Sequence, residues 1–276
     1  MRTPDRTLLQ LSDPHVTAEE GAADERLALA LETVRASGIR PAAILLTGDL
    51  SDDGSSESYA RVRAAVDPLG AELGAPVIAI PGNHDEAEVF REAMLDGAPL
   101  HRAVDVDGVR IVALDTTVPG RAHGELGAGQ LEWLTDVLAR KAKHGTVLAM
   151  HHPPIPTAHP LLSRIGLRDP SRLGDVLRGR DVRFVVCGHA HAVAAGTLTG
   201  IPVWSGPALH VTLDPLPGEG RLRAWADIGG MTRIDLFRDD VVATLVPLAS
   251  APTAAYDDPI AERTAWLDEH EAADRG

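Results

Sequence analysis

Residues 42–54 read AAILLTGDLSDDG. Ala42–Thr47 is a short apolar run with no room for a helical period, the pattern of a buried strand. Gly48 and Asp49 end it with a turn residue and a carboxylate. Working outward, the same arrangement recurs. Thr7–Ser12 reads as a strand and is followed by Asp13-Pro14-His15. Pro76–Ile80 leads to Gly82-Asn83-His84-Asp85, Thr146–Met150 to His151-His152, and Arg183–Cys187 to Gly188-His189-Ala190-His191. Between these strands lie helical stretches: Asp24–Ser37, with Leu27, Leu31 and Val34 on one face and Gly38 as its stop, then Ser56–Val66, Glu86–Leu95 and Gln130–Lys141. Ala103–Val106 and Val109–Leu114 flank Asp107-Gly108, a dipeptide suited to a tight hairpin. Strands alternating with amphipathic helices predict an α/β protein of sheet layers with helices outside them. From about Ala194 to Pro247 short strands and turns take over. Residues 1–250 read as one domain, and residues 251–276 as a C-terminal tail whose Pro259–Ala273 segment is polar and helical in pattern.

The whole chain narrows the function. It has 276 residues, ordinary for one large α/β enzyme. Its formal net charge of −14 and its scarce aromatics (Trp 4, Tyr 2, Phe 3) argue against a nucleic acid polymer as partner. The lone Cys187 excludes an internal disulfide and fits a reducing cytoplasm. No signal-peptide pattern opens the chain and no apolar run is long enough for a transmembrane segment.

Strand ends in layered α/β folds converge on one edge, so the five polar clusters can meet there. Taken singly, a His or Asp at a strand end is usually a cap or a solvated loop residue. Five in series, each directly after a strand, form a ligand set. Imidazole nitrogens with carboxylate and amide oxygens suit first-row transition metals, and there is no thiolate set for a structural zinc site. The donors outnumber what one ion needs; two ions sharing a carboxylate would use them all. The glycines beside Asp49, Asn83 and His189 suit sharp turns and close backbone approach.

The series D-x-H, GD, GNHD, HH and GHxH resembles the calcineurin-like metallophosphoesterases over about Leu8 to Pro247. Gly38–Asp53, Leu114-Asp115-Thr116 through Gly124-Glu125, and His151–Thr157 resemble in particular the class III 3′,5′-cyclic nucleotide phosphodiesterases of the mycobacterial type. The resemblance implies a four-layer α/β/β/α sandwich. It implies one metal held by Asp13, His15, Asp49 and His191, a second held by Asp49, Asn83, His151 and His189, and His84 as the catalytic histidine that is not a ligand. Two transition-metal ions per chain follow, iron with manganese or two manganese, with zinc also compatible. The implied reaction is attack on a small anionic phosphodiester, cyclic AMP being the natural candidate, by a hydroxide bridging the two metals. A homodimer is implied too.

Several residues carry narrower expectations. Asp53 stands where related protein phosphatases carry an Arg, and its charge would disfavour a dianionic monoester. His123 and His210 are candidate substrate contacts, His152 a support for the ligand loop, and Cys187 a buried small hydrophobe. The competing activities are hydrolysis of other small diesters, such as 2′,3′-cyclic nucleotides or glycerophosphodiesters, and a noncatalytic protein-binding scaffold.

Overall fold

The computed structural model describes residues 3–249, apart from 158, 160, 217, 218 and 227. In chain order the elements are β1 Arg6–Leu11, α1 Ala22–Ser37, β2 Ala43–Thr47, α2 Ser56–Leu73, β3 Val77–Ile80, α3 Ala87–Leu95, β4 Arg102–Val106, β5 Val109–Ala113, α4 Ala128–Val137 and β6 Thr146–Ala149. There follow α5 Leu162–Ile165, α6 Pro170–Leu177, β7 Val182–Cys187, β8 Ala194–Leu198, β9 Ile201–Ser205, β10 Thr212–Leu213, β11 Ala224–Trp225, β12 Gly229–Leu236 and β13 Val241–Leu248.

Two sheets carry the fold. One has the order β13-β12-β1-β2-β3, the other β4-β5-β6-β7-β9-β8, and β10 pairs with β11 as a small ribbon. β1, β2 and β3 run parallel, as do β5, β6, β7 and β9. Alternation along each strand divides the apolar residues between two faces. Leu8, Leu45, Ile78, Ile111, Val147 and Phe184 meet between the sheets. Leu9, Leu11, Ile44 and Leu46 face the other way, onto Leu27, Leu31, Val62 and Val66 of α1 and α2. Val112, Leu148 and Val185 of the second sheet pack on Leu131, Leu134, Leu173 and Leu177 of α4 and α6. The result is the four-layer α/β/β/α sandwich. At one end the sheets are also joined through polar groups: the buried Gln10 of β1 donates through Nε2 to Thr47 Oγ1 of β2 and to the Cys187 carbonyl of β7, both at 2.8 Å.

Most expected elements are present within a residue or two. The hairpin turn has Asp107 and Gly108 both at positive φ, 52° and 85°, as a two-residue turn of this hand requires. α1 stops at Gly38, whose φ is 66°. α2, however, continues seven residues past Val66 to Leu73 and runs through Pro68. Burial of Leu69 and the approach of Gly70 to Val77 extend the packed stripe, and that gain outweighs the proline's missing donor. α4 ends at Val137, not Lys141; Leu138 is still buried, so its apolar position did not require helix. α6 was not expected, although Pro170 at its start and Leu173 and Leu177 one turn apart are the signals of a short helix. The expected tail helix Pro259–Ala273 lies outside the described residues, and among those described no helix is long and apolar enough to cross a membrane.

The inter-sheet layer should dominate stability. Ile111→Ala, at a fully buried position, should cost about 2–5 kcal/mol in chemical denaturation. Val242→Ala, on the exposed edge strand β13, should cost less than about 1 kcal/mol.

Candidate metal centre

All five polar clusters fall at the C-terminal ends of parallel strands: Asp13 and His15 after β1, Asp49 after β2, Asn83 and His84 after β3, His151 after β6, His189 and His191 after β7. Turning each chain sharply at its strand end has a conformational cost. Asp13, His15, Asp49, His189 and His191 all adopt positive φ, between 49° and 69°. This left-handed region costs a residue with a Cβ roughly 1–2 kcal/mol. Five of the nine non-glycine residues at positive φ among those described are therefore candidate ligands, strain concentrated where function would use it. Gly48, at φ 93°, carries the remaining turn; a Cβ there would lie 2.3 Å from His151 Nδ1. Gly82 presses so closely on Asp49 that a Cβ would lie 2.2 Å from its Oδ1.

Asp49 sits at the centre, 2% exposed. Its Oδ1 accepts from the His84 backbone N–H at 2.9 Å. Its Oδ2 is 3.6 Å from His15 Nε2 and 3.3 Å from His151 Nε2, between two groups of donors. On one side His15 Nε2 and His191 Nε2 are 3.1 Å apart, and Asp13 Oδ1 lies 3.5 Å from His191 Nε2. On the other, His151 Nε2 is 3.1 Å from His189 Nδ1 and 3.2 Å from Asn83 Oδ1. Asp13, His15, Asp49 and His191 thus close into one group, and His151 Nε2 gathers Asp49, Asn83 and His189 around it as a second.

The far side of each ring shows why these nitrogens converge. His151 Nδ1 is 2.8 Å from the Thr47 carbonyl and His189 Nε2 is 2.9 Å from the Ile165 carbonyl. A carbonyl only accepts, so each of those nitrogens carries the proton. The facing pair, His151 Nε2 and His189 Nδ1, is left with two lone pairs 3.1 Å apart. Two acceptors at that distance repel unless a proton or a cation lies between them. His15 is held in the same way, with Nδ1 2.9 Å from Asp52 Oδ1 and Nε2 turned to the site. Backbone carbonyls and carboxylates behind imidazoles are the usual orienting groups for metal ligands. The residues present therefore fit two cations.

Protonation agrees with this geometry. Burial opposes ionisation of Asp49, but the charge and hydrogen bond of His151, then His15 and the His84 N–H, overcome it and hold the carboxyl well below its usual range. Burial likewise opposes charge on His151, yet Asp49, Asp13 and the Thr47 carbonyl lift it to about 9. His189 is pushed down to about 3 by burial and by its neighbour His151.

Other residues hold the frame, and for three of them, Asp52, Asp85 and Ile165, the sequence assigned no such role. Asp52 Oδ1 lies 2.9 Å from His15 Nδ1 and 3.2 Å from His84 Nδ1, linking a candidate ligand to the catalytic candidate. Asp85 is buried and accepts from the N–H groups of Leu50, Ser51 and Gly82, tying the loops after β2 and β3; burial and the charge of Asp49 raise it to about 7. Ile165, from the short α5, supplies its carbonyl to His189. Asp52 and Asp85 were visible as acidic residues beside the motifs, whereas a backbone carbonyl has no sequence signature. His152 is buried beside His189; its Nδ1 lies 2.7 Å from Thr116 Oγ1, its buried Nε2 is without a hydrogen-bond partner among the described residues, and it falls with His151 and His189 in a further group of possible metal donors. Cys187 is buried, its thiol raised above the usual range by burial, and is no nucleophile.

The expectations for the remaining residues divide. His84 is half-exposed, its ring centroid 4.8 Å from that of His15. His210 stands 5.3 Å from the His15 ring, and its buried Nδ1 has no hydrogen-bond partner. His123 pairs with Glu125 at 3.3 Å and does not join the ligand groups. Asp53, expected to set its charge against a substrate, instead accepts from Ala18 N, Ser51 Oγ, and both the N–H and Oγ of Ser55. Those donors, Ala18 foremost, lower its pKa and occupy it in bracing the loop. Asp52 is the carboxylate that faces the site.

The chain matches the model of the calcineurin-like phosphoesterase family over residues 6–193. It is 42% identical over 260 residues to a cAMP/cGMP dual specificity phosphodiesterase of Mycobacterium tuberculosis, covering 91% of this chain and 82% of that one. It is 37% identical over 191 residues to the 3′,5′-cyclic adenosine monophosphate phosphodiesterase CpdA of Pseudomonas aeruginosa, 67% of this chain and 69% of that one. Among solved structures, a dimetal phosphatase from Danio rerio superposes with a TM-score of 0.63 at 14% identity, over 90% of this chain and all of that one, which is a likeness of fold.

Because His151 is protonated below about pH 9 in the metal-free chain, an ion entering its group must displace that proton. Apparent metal affinity should therefore rise by about tenfold per pH unit on approach to pH 9. Calorimetric titration of chelator-treated protein in two buffers of different ionisation enthalpy should count at least one proton released. Affinity independent of pH would refute this arrangement.

Proposed function

The chain belongs to the calcineurin-like phosphoesterases, and from that premise we propose that it hydrolyses 3′,5′-cyclic nucleotides, with cyclic AMP the first substrate to test. The observation that carries this reading is the pair of donor groups sharing Asp49 Oδ2, with His84 beside them. Asp13, His15, Asp49 and His191 would hold one divalent ion and Asp49, Asn83, His151 and His189 a second. Bound there, such ions supply positive charge for phosphoryl oxygens and acidify water enough to make it a nucleophile at neutral pH. Iron with manganese, two manganese or zinc all suit this donor set.

The chain's own groups do the rest. Asp52 engages Nδ1 of His84 and leaves Nε2 available to give a proton to the departing ribose O3′. His210, next to His15, is the stronger substrate contact of the two proposed; His123 rests on its loop position alone. No arginine follows Asp52 to clamp a dianionic monoester, which favours a singly charged diester. Other small diesters, including 2′,3′-cyclic nucleotides and glycerophosphodiesters, are the alternative substrates. A noncatalytic scaffold is disfavoured because it has no use for strained ligands and inward-turned lone pairs.

Asp49→Ala should lose metal from both groups, measured by elemental analysis, and lose turnover with it. His84→Ala should keep its metal and lose roughly 10²-fold or more in kcat. A panel of cyclic nucleotides, open diesters and monoesters against metal-loaded protein tests the substrate. Faster hydrolysis of monoesters than of every diester would overturn the phosphodiesterase reading.

A further inference from the structure

A cavity of about 720 Å³ opens at the other end of the sandwich, where β1, β6 and β7 begin. β7 has six residues, so it separates this cavity from the metal centre by roughly 20 Å. Its walls carry five cationic side chains, Arg6, Lys143, Arg180, Arg183 and Arg238, against two carboxylates, Asp5 and Asp181. In a chain of net charge −14 this local excess has the opposite sign to the whole.

The side chains of Lys143, Arg180 and Arg238 are exposed and, among the described residues, have neither an ion-pair nor a hydrogen-bond partner. Arg183 donates to the backbone carbonyls of His144, Phe237 and Asp240, which fix the guanidinium without neutralising it. Arg6 is paired with Asp107 at 3.4 Å. Asp181 accepts from Ala142 N and lies 3.8 Å from Arg110, so its charge is already engaged. Asp239 and Asp240 follow Arg238 in the β12–β13 turn, so with Asp5, Asp107 and Asp181 five carboxylates stand against six cations once Arg110 is counted; the three unpaired cations, not a large net charge, distinguish the cavity. Concave walls focus the field of such unpaired cations, and mutual repulsion among them falls when an anion enters. Guanidinium and ammonium groups together suit phosphoryl oxygens.

We propose that this cavity binds a small phosphate-bearing anion at a site separate from the metal centre. Binding here does not depend on the catalytic reading, because no residue is shared. The test is a titration of zinc-loaded, isotope-labelled protein with inorganic phosphate, followed by backbone amide resonances. Signals of Gly145, Arg180–Val182 and Arg238 should shift and saturate. In Lys143→Glu/Arg180→Glu/Arg238→Glu the apparent affinity at those signals should fall by roughly tenfold or more, and added salt should weaken it in the native chain. Hydrolysis of bis(p-nitrophenyl) phosphate by the variant should be unchanged. Lys143→Ala alone, which removes one charge and adds none, should give a smaller loss in the same direction. Shifts confined to the loops around Asp13, Asp49 and His191, or an affinity untouched by the charge reversals, would overturn the proposal.

Discussion

The Asp49 carboxylate is buried between the imidazoles of His15 and His151, and most of the local structure serves that placement. An ionised carboxylate in a protein interior is costly unless it is paired and hydrogen-bonded. Here the His84 N–H satisfies one oxygen and histidines from two other strand ends flank the second. Gly82 has no side chain because the backbone there lies against Asp49 itself. Asp85 stays buried because the loops carrying Asp49 and Asn83 must remain in register. Removing Asp49 would leave His15, His151 and His191 crowded around a common centre with less negative charge to hold them.

The sheets act as a rigid mount for this arrangement. Parallel strands place their C-terminal ends on one edge, and the Gln10 bonds to Thr47 and Cys187 tie the first sheet to the second at that edge. Donors from β1, β2 and β3 can then meet donors from β6 and β7 without a flexible segment between them. Strain at five candidate ligand positions is tolerated because the apolar layers beneath supply the stability that those turns give up.

Much of this was legible in the sequence because the signals are local. Short unbroken runs of Leu, Val, Ile and Ala mark buried strands, and a polar cluster directly after a strand is readable wherever it falls. Helix limits were less legible where packing overrode propensity, as at Pro68 in α2 and Leu138 after α4. Asp53 illustrates a different gap. Its position in the motif suggested a charge facing substrate, and its actual donors, from Ala18 and Ser55, belong to a loop whose shape no spacing rule gives.

The sequence by itself determined which residues are candidates to carry the chemistry, since residue type fixes what an atom can donate, accept or ligate. It also determined the layered α/β class, since periodicity records which faces are buried. Only the tertiary structure decided which nitrogen of each histidine faces the site. That depends on the Thr47 and Ile165 carbonyls and the Asp52 carboxylate behind the rings, all three remote in the chain from the histidine they hold. The structure alone also gathered Lys143, Arg180 and Arg238 around one cavity. Contacts between distant segments are set by how the layers stack, and stacking leaves no mark in the spacing of residues along the chain.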